Sequence, residues 1–285
     1  MTDHASESRW QAFWNRGGWW KALGLALVYL ALYLGTGWLV DTLGRDAIDV
    51  ENLFGDALSV FLAIGMPVIV GSIILLAFSW SLGWIPKPLF TKQPVRGSWW
   101  MWIAPALVLI PVLLRLFGTD YSQYTGGVIA VTFLVGIFVG VSEELLTRGL
   151  AVTLLRKHGY NEWVVAVLSS LIFALLHSSN VLSGQPILTV LATMGYTFVF
   201  GIMMYLTLRV TGNLIWPIIL HAITDPTTFL ATGGIDVAAA GEQSPLLAFV
   251  TPATLLMAVF ALIALIFIRG RAKSDVPGLE TAPQV

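Results

Sequence analysis

Eight apolar runs limit what this chain folds into: residues 20–40, 57–85, 99–117, 127–157, 163–177, 187–208, 213–224 and 246–268. Most hold the roughly 20 helical residues needed to cross a hydrocarbon core of about 30 Å. The chain therefore reads as all-α, a polytopic membrane bundle of about eight transmembrane helices. The seventh run is short, and the fourth is over-long, so tilting or protrusion is expected there. With 57% hydrophobic and 11% charged residues, the composition is that of a membrane protein and not of a soluble one. Trp19, Trp20, Trp38, Trp80, Trp84, Trp99, Trp100 and Trp102 sit at run ends, where interfacial anchors belong.

Basic residues set the orientation. With eight spans, the N-terminus, the 86–98 loop, the 156–162 loop, Arg209 and the C-terminal tail share one side. That side holds 12 of the 15 Lys and Arg residues, whereas the other has Arg45 and Arg115, so both termini are expected in the cytoplasm. Residues 1–18 form a cytoplasmic N-terminal segment, 19–269 the transmembrane domain and 270–285 a cytoplasmic tail. The first run begins near Trp20 without an A-x-A cleavage pattern, so it reads as a retained span and not a signal peptide. A net charge of −1 gives no argument for a nucleic-acid partner. The absence of cysteine excludes disulfides, thiolate metal sites and a cysteine nucleophile.

Against this background the stretch Gly140 to Leu150, GVSEELLTRGL, stands out. An ionisable side chain at membrane depth costs at least ~2.5–3.5 kcal/mol, so it has a task or a partner. Glu144 and Arg148 are four apart on one helix face and form an expected structural ion pair. Glu143 points about 100° away, onto the nearly bare face of Gly136, Gly140 and Thr147, which other helices can approach closely.

His177 ends the run FALLH, and His221 and Asp225 stand four apart in HAITD. With Asn161 as N-cap of the fifth helix, a rise of 1.5 Å per residue brings Glu143, His177 and His221 to broadly similar depths, roughly 14–24 Å from one membrane side. Two carboxylates and two imidazoles form the set that water-activating hydrolases use, with or without a metal. A zinc site takes about three N/O ligands and an open position, although the HExxH spacing of soluble zinc proteases is missing. Each residue also has a bland reading. A lone intramembrane His commonly bonds a neighbouring helix, and Asp225 can cap a helix end beside Pro226.

Three motifs resemble those of the CPBP intramembrane protease family, which comprises CAAX prenyl endopeptidases and bacteriocin-processing (Abi) enzymes. They are EExxxR at Glu143-Glu144-Leu-Leu-Thr-Arg148, FxxxH at Phe173-Ala-Leu-Leu-His177, and HxxxN/D at His221-Ala-Ile-Thr-Asp225, within a core of 126–226. The resemblance implies an eight-helix intramembrane endopeptidase, a CAAX-type metalloprotease or glutamate endopeptidase, whose site opens toward the cytoplasm. It implies Glu143 as the base that activates water, His177 positioning that water, and His221 with Asp225 holding the scissile carbonyl or a metal. Glu143, His177, His221 and Asp225 are thus the expected catalytic set and also the candidate ligands of one divalent ion, zinc above all. Two departures stand out: Thr147 where the family often has an aromatic, expected to alter the cavity wall, and Asp225 where prenyl endopeptidases carry Asn.

The reading is a multi-pass protein of a prokaryotic cell membrane that hydrolyses a peptide bond near the cytoplasmic leaflet. Its partners are the lipid bilayer and a membrane peptide or lipidated protein as substrate. The rival classes are a non-catalytic bacteriocin-immunity or partner-binding protein, a proton-coupled carrier, and a haem anchor through His177 and His221. No repeats or paired broken helices favour the carrier.

Overall fold

The structure, a computed structural model, describes residues 7–235 and 244–273. His4, part of the 226–245 loop and most of the tail lie outside the described residues. Within them the chain is helical, with one isolated β-bridge between Asn161 and Arg271 and no strand. A short helix α1 (Arg9–Asn15) starts on a capping box between Ser8 and Gln11 and packs Trp10 and Trp14 on Phe78. The polar N-terminal segment is therefore anchored to the bundle from Arg9 onward.

Among the described residues seven helices are long and apolar enough to cross a membrane: α2 (Trp19–Ala47), α3 (Ala57–Ser81), α4 (Trp99–Gly118), α5 (Gly126–Lys157), α6 (Glu162–Ser183), α7 (Ile187–Thr211) and α9 (Leu247–Phe267). The eighth expected span exists as α8 (Ile215–Thr232), whose His221, Asp225 and four threonines make it less apolar than the rest. It is sheltered by protein, packed mainly on α5. Local chemistry fixes the helix ends. Thr125 caps α5 by accepting from the Val128 N–H, and Asn161 caps α6 by accepting from Val164, as the sequence predicts. Gly212 and Gly233 close α7 and α8 at φ 73° and 74°, a left-handed conformation that costs glycine least.

The α5–α8 contact is the seam that small residues prepare. A Cβ on Gly140 would stand 2.6 Å from the Ile218 carbonyl oxygen, and one on Gly136 would collide with Pro226. These two glycines let the α8 backbone lie directly on α5, which no larger residue allows.

The segments that the charge count puts on one side meet at one end of the bundle. There the Gly97 N–H donates to the Arg209 carbonyl, Gly18 to Leu154, Gln93 to Gly212 and Glu162 to Gly270. A buried cluster holds them. Glu162 accepts from Arg156 Nε at 2.9 Å and Nη2 at 2.6 Å, and from Arg209 Nη1 at 3.1 Å and Tyr205 Oη. Two of the cations counted on this side are thus interior: Arg156 and Arg209 are 4% and 3% exposed. They still mark this as the basic end, because the exposed Arg9, Arg16, Arg269 and Lys273 gather there too.

Candidate active site

Glu143 and Glu144 end the α-helical part of α5, immediately before a wider π-helical turn over Leu145–Ala151. Such turns frequently occur at functional sites, since they re-aim side chains within a continuous helix. Glu144 is fully buried and Arg148 is 1% exposed. The expected pair is present, with Arg148 Nη1 at 3.1 Å from Glu144 Oε1. The guanidinium also lies over the Phe173 ring, 4.5 Å from its centre. Gly201 makes room for it, since a Cβ there would stand 2.9 Å from Arg148 Nη2.

Glu144 does more than pair with arginine. His221 crosses the glycine seam and sets Nδ1 at 2.8 Å from the same Glu144 oxygen. Its Nε2 lies 3.5 Å from Glu143 Oε2 and 3.5 Å from Asp225 Oδ2. One imidazole therefore faces three carboxylates, with Glu144 held tightly and the other two at looser ion-pair distance. The side chains of Glu143 and Asp225 are 22% and 25% exposed, so they face the open space that Glu144 does not reach.

That space is a cavity of about 170 Å³ lined by Glu143, His177, His221 and Asp225 together, room for several waters at about 30 Å³ each. His177 begins the 3-10 turn that ends α6. Its Nδ1 is 3.0 Å from the Phe173 carbonyl oxygen. A carbonyl only accepts, so Nδ1 carries a proton and Nε2 of the neutral ring is left as an acceptor. The FxxxH spacing thus serves two ends at once: Phe173 supports Arg148 with its ring face and fixes His177 with its carbonyl.

Thr147 differs from expectation. It is fully buried and lines no part of the cavity. Its hydroxyl donates to the Glu143 carbonyl and accepts from Arg148, each at 2.5 Å, so it braces the acidic turn from behind. Its position in the π-helical turn removes it from the Glu143 face that regular helical spacing assigned it.

The expected metal set shares the cavity without converging. Among the described residues no three His, Asp or Glu side chains are grouped as a metal's ligands are. His221 holds Glu144 through Nδ1 and turns Nε2 toward Glu143 and Asp225. As arranged, the four side chains do not form a ligand group.

The lining runs from Glu143 toward Ser179 and Asn180 in the 3-10 end of α6 and Ile235 beyond the end of α8. This is the end opposite the basic one. Three tyrosines that the motifs do not include complete the wall: Tyr29, Tyr33 and Tyr196. Tyr29 and Tyr33 were visible as two polar-tipped aromatics four apart inside an apolar run, which places them on one face. Gly71 of α3 makes space for the first, since a Cβ there would stand 2.7 Å from the Tyr29 ring.

Residues 125–227 match the family described as type II CAAX prenyl endopeptidase, Rce1-like. No curated protein matches the chain, and no solved structure does. The matched residues begin at the cap of α5 and end two residues after Asp225, so they take in every member of the three motifs. The part of this chain that carries the carboxylates and both intramembrane histidines is thus similar to the Rce1-like domain of the CPBP family.

Proposed function

We propose that the protein is an intramembrane endopeptidase in which Glu143 activates water for attack on a peptide carbonyl. The observation that carries this reading is the shared cavity of Glu143, His177, His221 and Asp225, reached from three helices and backed by the buried Glu144–Arg148 pair.

Water in the cavity donates one proton toward Glu143 Oε2 and another toward His177 Nε2, the acceptor that the Phe173 carbonyl leaves free. Glu143 takes its proton as the water oxygen bonds to the carbonyl carbon, and the carbonyl π electrons move to oxygen. His221, held by Glu144 through Nδ1 and protonated on Nε2, donates to that oxyanion. Asp225 holds the Nε2 side of the ring. The C–N bond then breaks, the oxyanion collapses to the new carboxyl group, and Glu143 returns its proton to the departing amine. Atoms balance as one water consumed per bond cleaved. The substrate is a membrane peptide or a lipid-modified chain, as the family name suggests for its members.

The test is comparative peptide analysis of membranes from cells carrying wild type or Glu143→Gln. Peptides whose cleavage disappears in the variant support an endopeptidase. Identical peptide profiles at equal expression would leave the partner-binding reading in its place.

A further inference from the structure

Most side-chain donors in the cavity wall are already taken. Ser179 Oγ donates to the Leu176 carbonyl, Thr197 Oγ1 to Thr193 and Thr228 Oγ1 to Thr224. Asn180 and Tyr196 have partners of their own. His177 Nδ1 is held by the Phe173 carbonyl, and His221 Nε2 faces Glu143 and Asp225. That leaves the part of the wall that α2 and α3 supply: Tyr29, Leu30, Tyr33, Ile64 and Val68, where only the two tyrosines are polar.

The tyrosine rings stack, with centres 6.3 Å apart and planes at 25°, yet their hydroxyls differ. Tyr29 is 6% exposed, and its hydroxyl reaches the side chain of Ser142, the residue before Glu143. Ser142 gives its own proton to the Val139 carbonyl at 3.2 Å, so its oxygen is left to accept. Tyr33 lies one turn further along α2 and is half-buried. It lines the cavity, and among the described residues its hydroxyl has no hydrogen-bond partner.

A phenolic O–H at membrane depth is costly without a partner. A peptide opened for cleavage brings the matching deficit, because its backbone carbonyls lose their helical partners where lipid offers none. We infer that Tyr33 is a substrate-binding residue whose hydroxyl donates to a carbonyl of the bound peptide, other than the scissile one that His221 serves. Tyr29, tied to Ser142, braces the acidic turn instead. This rests on the proposed endopeptidase activity and adds a contact that holds the peptide backbone in register.

Tyr33→Phe removes the hydroxyl and keeps the ring stack. Wild type in detergent receives a pool of octanoylated nonapeptides, and two cleaved members become the substrates. In each, one amide at a time other than the scissile one is replaced by an (E)-alkene, which keeps the shape and removes the carbonyl. With the parent peptides Tyr33→Phe should lower kcat/KM about threefold to tenfold, the worth of one neutral hydrogen bond. At one position the alkene should cost wild type at least about threefold more than it costs Tyr33→Phe, the coupling expected of two groups in contact. Tyr29→Phe should show no such coupling. A Tyr33→Phe enzyme that loses as much as wild type at every position overturns the inference, whether it is slower or melts lower.

If wild type cleaves no member of the pool, the endopeptidase reading fails, and binding decides alone. The pool is then passed over immobilised wild type and immobilised Tyr33→Phe. The variant should retain about threefold to tenfold less peptide. Equal retention, or none on wild type, overturns the inference independently of activity.

Discussion

His221 Nδ1 stands 2.8 Å from Glu144 Oε1, the oxygen that also accepts from Arg148. The second glutamate is therefore the orienter of the imidazole as well as the partner of the cation. Glu144→Gln should do two things at once. It strands Arg148 in a dry site, where an unpaired charge costs about 3–5 kcal/mol, so the melting temperature falls. It also weakens the hold on His221, so the fraction that remains folded should cleave at least about tenfold more slowly. Wild-type melting together with wild-type cleavage would remove both roles.

Glu143 predicts the opposite pattern. Its carboxylate faces the cavity, and no buried cation depends on it as Arg148 depends on Glu144. Glu143→Gln should melt as wild type does and lose cleavage by about 10²–10⁴-fold, the range of a general base. Cleavage within threefold of wild type would move the base to another residue.

The glycine seam carries the geometry of the site. A side chain at Gly136 would collide with Pro226, one residue beyond Asp225. Gly136→Val should destabilise by about 1–3 kcal/mol through overpacking. It should also move α8, and with it His221 and Asp225, so cleavage falls more than the lost stability explains. Phe117→Val, on an exposed position of α4, serves as the matched control and should change neither.

Much of this was legible because lipid simplifies the code. Most of the apolar runs coincide with the observed helices to within a few residues, since length and hydropathy decide a span, while the helices of the first, fifth and seventh runs extend six to eight residues further. Asn161 and the Glu144–Arg148 pair are local, and local spacing found them. What escaped depends on elements far apart in the chain. The Glu144–His221 bond joins residues 77 apart, and the Arg156–Glu162–Arg209 cluster buries three residues at helix ends against one another. Helical spacing also misplaced Thr147, because the π-helical turn begins just before it.

Sidedness has a direct reading. If the basic end faces the cytoplasm, an impermeant maleimide should label Asp46→Cys in intact cells and Lys273→Cys only after permeabilisation. Both positions are exposed, so silence at either reports the membrane and not burial. The reverse pattern would invert the orientation.

Asp225 decides between two chemistries. A hard divalent ion prefers an anionic oxygen, and Glu143, His177, His221 and Asp225 would together supply a full N/O set if they converged. They do not converge as arranged: Asp225 Oδ2 stands 3.5 Å from His221 Nε2 and faces it as a counter-ion. On that geometry Asp225→Asn should keep activity within about tenfold, because the neutral amide still accepts from the ring and adds a donor for the oxyanion. Chelators should leave wild type and variant unchanged across a pH series. The contrary result is equally definite. If a chelator abolishes wild-type cleavage, zinc restores it and Asp225→Asn needs more zinc for the same rate, then the four side chains close around an ion. In that case the spacing seen between His221 and Asp225 is the room that the ion fills.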